Sequence, residues 1–164
     1  MKLKIDDLYE LQQELDNRIF LLHEVDRPST RIDRTLALLV EVGEMINETK
    51  CFKYWSLKPS SSKDVVLEEY GDGIHFLLSL GIDLHDQSIY IENRLDDQSS
   101  LSELTLMVYQ NICDLKRDFC LSQYHKTFSS FLTLGERLAF TQADIRSYYL
   151  KKNRINHQRQ DNSY

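Results

Sequence analysis

Two pairs of acids interrupt segments that otherwise read as core: Glu41 and Glu44 in LVEVGEMINE, then Glu69 and Asp72 in EEYGDGIHF. Each pair is spaced i,i+3, so in a helix each points from one face, and Glu48 continues the first face one turn later. Apolar neighbours place these carboxylates at the edge of a core and not on a fully wet surface. No lysine follows Glu41 or Glu44 at four residues to pair with it. The 24 residues between Glu44 and Glu69 suffice for a loop that returns the chain, so the two helices can pack side by side.

The rest of the chain repeats the helical period. Residues 6–24 carry the stripe Leu8, Leu11, Leu15, Ile19 and Leu22, and DRPST at 26–30 reads as a turn. A second helix over 31–50 has Ile32, Leu36, Leu39, Val40 and Ile46 on its apolar side, followed by a loop over 51–62. Ser62 is the expected N-cap of a third helix over 63–80, with Val66, Tyr70, Ile74, Leu77 and Leu78 inward and Gly81 closing it. The stretch 82–99 reads as loop with a short helix. Helices follow over 100–120 and 122–139, and a sixth starts at Thr141, an N-cap with Asp144 three residues on. With only five Gly and two Pro in 164 residues, the expected class is all-α: one domain over 1–164, a four-helix core with accessory helices.

Charge and cysteines narrow the setting. A formal charge of -6 gives no general drive toward nucleic acid. MKLKIDDLYE has no apolar run behind its lysines, and no stretch approaches the length of a membrane span, so neither a signal peptide nor a membrane segment is expected. Cys51, Cys113 and Cys120 form no metal motif; Cys113 and Cys120, at i,i+7, read as one helical stripe, and the odd count fits reduced thiols in the cytoplasm.

Four or five converging carboxylates repel one another, and a hard divalent cation relieves that repulsion, Mg2+ being the natural one for an all-oxygen set. The plainer reading is a wet face of two amphipathic helices. A carboxylate nest with two or more Mg2+ suits nucleotide polyphosphate hydrolysis, the metals neutralising phosphate oxygens and a carboxylate taking the proton of an attacking water. There is no P-loop or GxGxxG. KKNRINHQRQ at 151–160 has four Lys/Arg and no acid; Lys152, Asn156 and Arg159 share a side, with Asn153 adjacent. That tail is either solvated or a grip for phosphates. Phe52, Lys53, Tyr54 and Trp55 are either a core plug or dimer contact, or the wall of a base pocket with Lys53 aimed at phosphate. Gln12 and Asp16, at i,i+4, can read a base edge but by spacing alone are surface residues. Gly71 and Gly73, flanking Asp72, serve close packing or room for a ligand, and His75 is a near-core histidine or a hydrogen-bond partner of a metal-binding carboxylate.

At these residues the chain resembles the dimeric all-α dUTPases of the MazG-like nucleotide pyrophosphatase superfamily, most closely the branch of Gram-positive bacteria and their phages. The likeness runs through LQQELD (11–16), ALLVEVGEMINETKCFKYWS (37–56), LEEYGDGIHFLLSLG (67–81) and YLKKNRINHQRQ (149–160). It implies a homodimer that hydrolyses dUTP, and in several relatives dUDP, to dUMP, releasing pyrophosphate from dUTP. It assigns the metals, Mg2+ or Mn2+ in its place, to Glu41, Glu44, Glu69 and Asp72 with Glu48 in support, Glu44 being favoured to orient the attacking water. Gln12, Asp16 and Trp55 go to uracil and deoxyribose. Lys152, Asn153, Asn156 and Arg159, with Lys53, go to the phosphates, and 149–164 forms a segment closing over substrate that includes Tyr164. The chain departs from the pattern at Asp16, where many relatives carry Asn, in the ending DNSY, which lacks a Gly before the final Tyr, and at Gly71 and Gly73 in place of better helix formers. Two other readings stand beside it: a related pyrophosphatase acting on dCTP or non-standard nucleotides, and a noncatalytic regulatory helical dimer. A regulatory protein partner is left open.

Overall fold

The computed structural model describes residues 1–93 and 99–161. In chain order the elements are β1 (Lys2–Lys4), α1 (Asp6–Leu22), α2 (Arg27–Thr49), α3 (Lys63–Asp83), β2 (Tyr90–Glu92), α4 (Leu101–Arg117), α5 (Leu121–Arg137) and α6 (Gln142–Asp161). The fold is all-α, with one two-stranded antiparallel ribbon pairing Leu3 with Ile91.

Helix α3 sits at the centre because it is apolar nearly all round. Its expected stripe of Val66, Tyr70, Ile74, Leu77 and Leu78 is buried, and it packs against α1, α2, α5 and α6, most extensively against α2. Tyr70 stacks on Phe131 of α5 at 4.3 Å between ring centres and donates its hydroxyl to the Phe131 carbonyl at 3.0 Å. Two glycines permit these approaches. A Cβ on Gly73 would lie 2.7 Å from the Phe131 ring, and one on Gly81 would lie 2.3 Å from the Tyr124 hydroxyl. Gly81 therefore serves packing and does not close α3, which continues to Asp83.

Several expectations need correction. DRPST is not a separate turn but the start of α2: Asp26 and Ser29 form a reciprocal capping box and Pro28 occupies the first turn, where its missing N–H is harmless. The buried side of α2 is Leu38, Val42, Met45 and Ile46; Ile32, Leu36 and Val40 are 56%, 59% and 48% exposed. The helix carries two apolar stripes, and periodicity alone does not say which one meets the core. In 82–99 the described residues hold strand β2 and no further short helix; a three-residue strand is too short to show its period. Cys113 lies in α4 and Cys120 precedes α5, so they share no helix. The sixth helix starts as expected, with Thr141 and Asp144 exchanging hydrogen bonds between backbone N–H and side chain.

Candidate active site

The α2–α3 packing sets the acids face to face. One carboxylate oxygen each from Glu41, Glu69 and Asp72 lies within 4.8 Å of the others, and all three residues are half-buried. Burial, and then repulsion from Asp72, Glu44 and Glu69, pushes the Glu41 carboxyl up to about 7. Burial followed by the charges of Asp72 and Glu44 raises Glu69, and burial raises Asp72 against the opposing pull of Lys152. Lys152 Nζ of α6 donates to Asp72 Oδ2 at 2.6 Å and lies 3.8 Å from Glu68. Glu44 is exposed beside this cluster. Glu48 accepts a hydrogen bond from the Ser61 hydroxyl, and Glu44, Glu48 and Glu69 line one shallow groove with Asn47. A compact set of carboxylate oxygens raised by mutual repulsion fits a hard divalent cation in donor chemistry and charge.

Glu41 and Asp72 also form one end of a cavity of about 470 Å³ between α1, α2, α3 and α6. At its other end are Gln12 and Asp16, which spacing alone reads as surface residues but which are buried, 4% and 5% exposed. Gln12 Nε2 donates to Asp16 Oδ1 at 2.7 Å. Its carbonyl oxygen lies 2.8 Å from His75 Nδ1 and accepts from the Tyr149 hydroxyl at 3.1 Å. Because the Gln12 amide must face the Asp16 carboxylate, its oxygen faces His75, which fixes His75 as the neutral Nδ1–H tautomer. Burial lowers the His75 pKa to about 3 and keeps it neutral. Its ring stacks on Tyr149 at 4.2 Å, and its Nε2 is buried with no hydrogen-bond partner among the described residues. Phe20, Phe76 and Leu15 supply apolar walls.

Of the tail residues, Lys152, Asn156 and Arg159 line this cavity on one side of α6. Asn153 is buried and turns toward α1, its amide 3.5 Å from the Leu11 carbonyl. Lys53 and Trp55 do not line the cavity: Lys53 Nζ donates to Asn47 at 2.7 Å, and Trp55 is 65% exposed beside Tyr54. Tyr164 lies outside the described residues.

Sequence reasoning missed a charged group at the cavity wall. Arg27, Arg31 and Arg34 of α2 converge on Asp83 of α3, at 3.2, 3.3 and 2.8 Å, and Ser79 bonds to both Arg34 and Asp16. The signal was present in part: the three arginines are spaced i, i+4, i+7, one face of one helix.

A family model described as dUTPase matches residues 4–164. The chain belongs to the dUTPase family. It is thus a dUTP diphosphatase, converting dUTP to dUMP and pyrophosphate. No curated protein matches the chain in direct sequence comparison. Among the described residues of this dUTPase, no helix is long and apolar enough to cross a membrane.

Proposed function

We propose that the dUTPase binds the nucleoside of dUTP in the cavity between α1, α2, α3 and α6 and its triphosphate at the carboxylate nest, with two or more Mg2+ ions or Mn2+ in their place. One observation carries this reading: Glu41 and Asp72 belong both to the cavity wall and to the three-carboxylate cluster, so a ligand filling the cavity meets the acids at its end. Glu41, Glu69 and Asp72 would hold the metal, with Glu44 and Glu48 supporting it from the groove. The bound cations would supply charge neutralisation at the phosphate oxygens and acidify water.

The chain's own residues supply the rest. Glu44 stands outside the three-oxygen cluster on the same helix face, where its carboxylate orients the attacking water and accepts its proton. Lys152, now paired to Asp72, turns to the phosphates when that carboxylate is taken up, and Arg159 and Asn156 complete a cationic and polar wall along α6. Water attacks phosphorus, the bond to the bridging oxygen breaks, and pyrophosphate leaves with the charge those side chains stabilise. dUDP, with the same nucleoside and a shorter phosphate chain, is a second substrate.

The working unit is a homodimer with one domain per chain. Ile32, Leu36 and Val40 form an exposed apolar stripe on α2, and Tyr54, Trp55 and Leu57 are exposed on the following loop. Because Lys53 and Trp55 stand outside the cavity of their own chain, any contact of theirs with base or phosphate requires a second copy or a displaced loop. Residues 149–164 close over the nucleotide from α6. The thiols of Cys51, Cys113 and Cys120, all free, fit a reducing cytoplasm.

The test is turnover of dUTP, dUDP, dCTP, dTTP and UTP with Mg2+, products being resolved by anion exchange. Rapid dUMP formation from dUTP and dUDP that disappears in Glu44→Gln supports the whole reading. Full activity in Glu44→Gln, or after exhaustive chelation, would refute the proposed chemistry.

A further inference from the structure

Asp16 is held from behind by two other helices. The Ser79 hydroxyl donates to Asp16 Oδ2 at 2.6 Å, and Arg27 Nη2 lies 3.0 Å from the same oxygen as an ion pair without hydrogen-bond alignment. Ser79 is itself fixed, because Arg34 Nη1 donates to its hydroxyl at 2.9 Å and to its carbonyl at 3.2 Å. Both arginines end on Asp83, whose side chain is 1% exposed. On the cavity side, Asp16 Oδ1 accepts from Gln12 Nε2, and the Gln12 oxygen faces the His75 and Tyr149 donors.

The remaining hydrogen-bonding capacity follows from what is already taken. Both acceptor positions of the Gln12 oxygen are engaged, and one of its two N–H groups is spent on Asp16. On Asp16, Ser79 and Arg27 engage Oδ2, and Gln12 engages Oδ1 once. The pair therefore keeps one N–H on Gln12 and one acceptor position on Asp16 Oδ1, both on residues that line the cavity.

We propose that Ser79 and Arg27 are positioning residues for nucleobase recognition: by anchoring Asp16 Oδ2 they present Oδ1, beside the Gln12 N–H, as an acceptor–donor pair. That pair accepts the imide N–H of uracil and donates to the adjacent ring carbonyl. The inference rests on the placement of the nucleoside in this cavity. Asp16 suits the role because a carboxylate has no N–H of its own, so the polarity of the pair is set by the donors behind it. Ser79 and Arg27 do not touch the ring in this arrangement; they act through Asp16.

The experiment compares the full-length protein with Ser79→Ala and Arg27→Met, measuring kcat and KM for dUTP and product inhibition by dUMP and by pyrophosphate, with Mg2+ present. Thermal unfolding establishes that each variant is folded, and Ser79→Ala removes one oxygen without adding volume. Loss of the anchor is expected to raise KM and the dUMP inhibition constant by about 3- to 10-fold while kcat and the pyrophosphate constant hold, since one oriented hydrogen bond is at stake. A general loosening of the fold would weaken dUMP and pyrophosphate together, and that outcome overturns the positioning role. So does an unchanged dUMP constant in both folded variants. If the wild-type protein turns over dUTP yet dUMP does not inhibit it competitively, the nucleoside placement itself fails, and this proposal with it.

Discussion

The two ends of the site share α3 and differ in how their polar groups are satisfied. At the end proposed for the nucleoside, Gln12, Asp16, His75, Ser79 and Tyr149 are buried and joined by hydrogen bonds of 2.6 to 3.1 Å. At the acid end, Glu41, Glu69 and Asp72 crowd together, and their carboxyls are all raised. The first arrangement is largely paired as folded, with His75 Nε2 left over, and contributes stability. The second stores repulsion that a bound cation would relieve. This is the usual division in an active site between a part that orients and a part that reacts.

Substitution should separate the two ends most strongly. Glu41→Gln is expected to lower kcat by about 10²–10³-fold. In chelator it should raise the thermal midpoint, by roughly 2–4 °C for each ~1 kcal/mol of repulsion relieved. Asp16→Ala should do the reverse to stability: Arg27 keeps Asp83, but the Gln12 and Ser79 donors lose their acceptor, a loss of about 1–3 kcal/mol for each and a fall of roughly 5–10 °C. Calorimetric scans of both variants with and without Mg2+ check this, and a destabilised Glu41→Gln would break the comparison.

pH should pull the ends in opposite directions. The Glu41 carboxyl is raised from 4.5 to about 7, so its contribution to stability is fully present below 4.5 and is lost as pH rises through about 7. His75 is lowered from 6.5 to about 3, so its contribution is present above 6.5 and is lost as pH falls toward 3. Between about pH 4.5 and pH 6.5 the metal-free wild type carries both slopes. His75→Asn in chelator should therefore gain stability as pH falls through about 7, and the wild type saturated with Mg2+ should lose stability below 6.5. Chemical denaturation across that range reads both slopes, and equal slopes in the two arms would refute the assignment.

The smallest effect concerns the glycines beside Asp72. Gly71 leaves room for a Cβ, its nearest neighbour being Tyr148 Cβ at 3.7 Å, whereas Gly73 does not. Gly71→Ala should stabilise by about 0.5–1 kcal/mol, and Gly73→Ala should destabilise by about 1–3 kcal/mol through contact with Phe131. A destabilised Gly71→Ala would mean that backbone freedom at that position matters beyond packing.

Much of the acid end was legible in the sequence. Glu41, Glu44, Glu69 and Asp72 announce themselves because charge inside an apolar helical period has few explanations, and the period itself identified α3 and its inward stripe. The end proposed for the nucleoside was not legible in the same way. Gln12 and Asp16 are polar residues at i,i+4, a spacing that surfaces use constantly; their burial depends on α3 and α6 closing over α1. The arginine face of α2 was readable as a stripe, but its partner Asp83 lies 49 residues beyond Arg34. Helix α2 shows the limit of periodicity most directly, since its exposed stripe of Ile32, Leu36 and Val40 is as regular as its buried one.

What the sequence by itself determined is the six main helices, the capping residues at Thr141 and Asp144 and the placing of two acid pairs inside apolar helical periods, because these follow from local period, hydrogen-bonding chemistry and charge. What only the tertiary structure decided is which face of α2 meets the core, that α3 runs through Gly81, and that Gln12 and Asp16 stand inside a cavity whose far end is Glu41 and Asp72. Those outcomes depend on long-range packing: a Cβ that would strike Tyr124, a carboxylate met by a serine two helices away, and a lysine from α6 seated on an acid of α3. No local spacing encodes such contacts, since each is settled by the distance between elements and not by the order of residues within one.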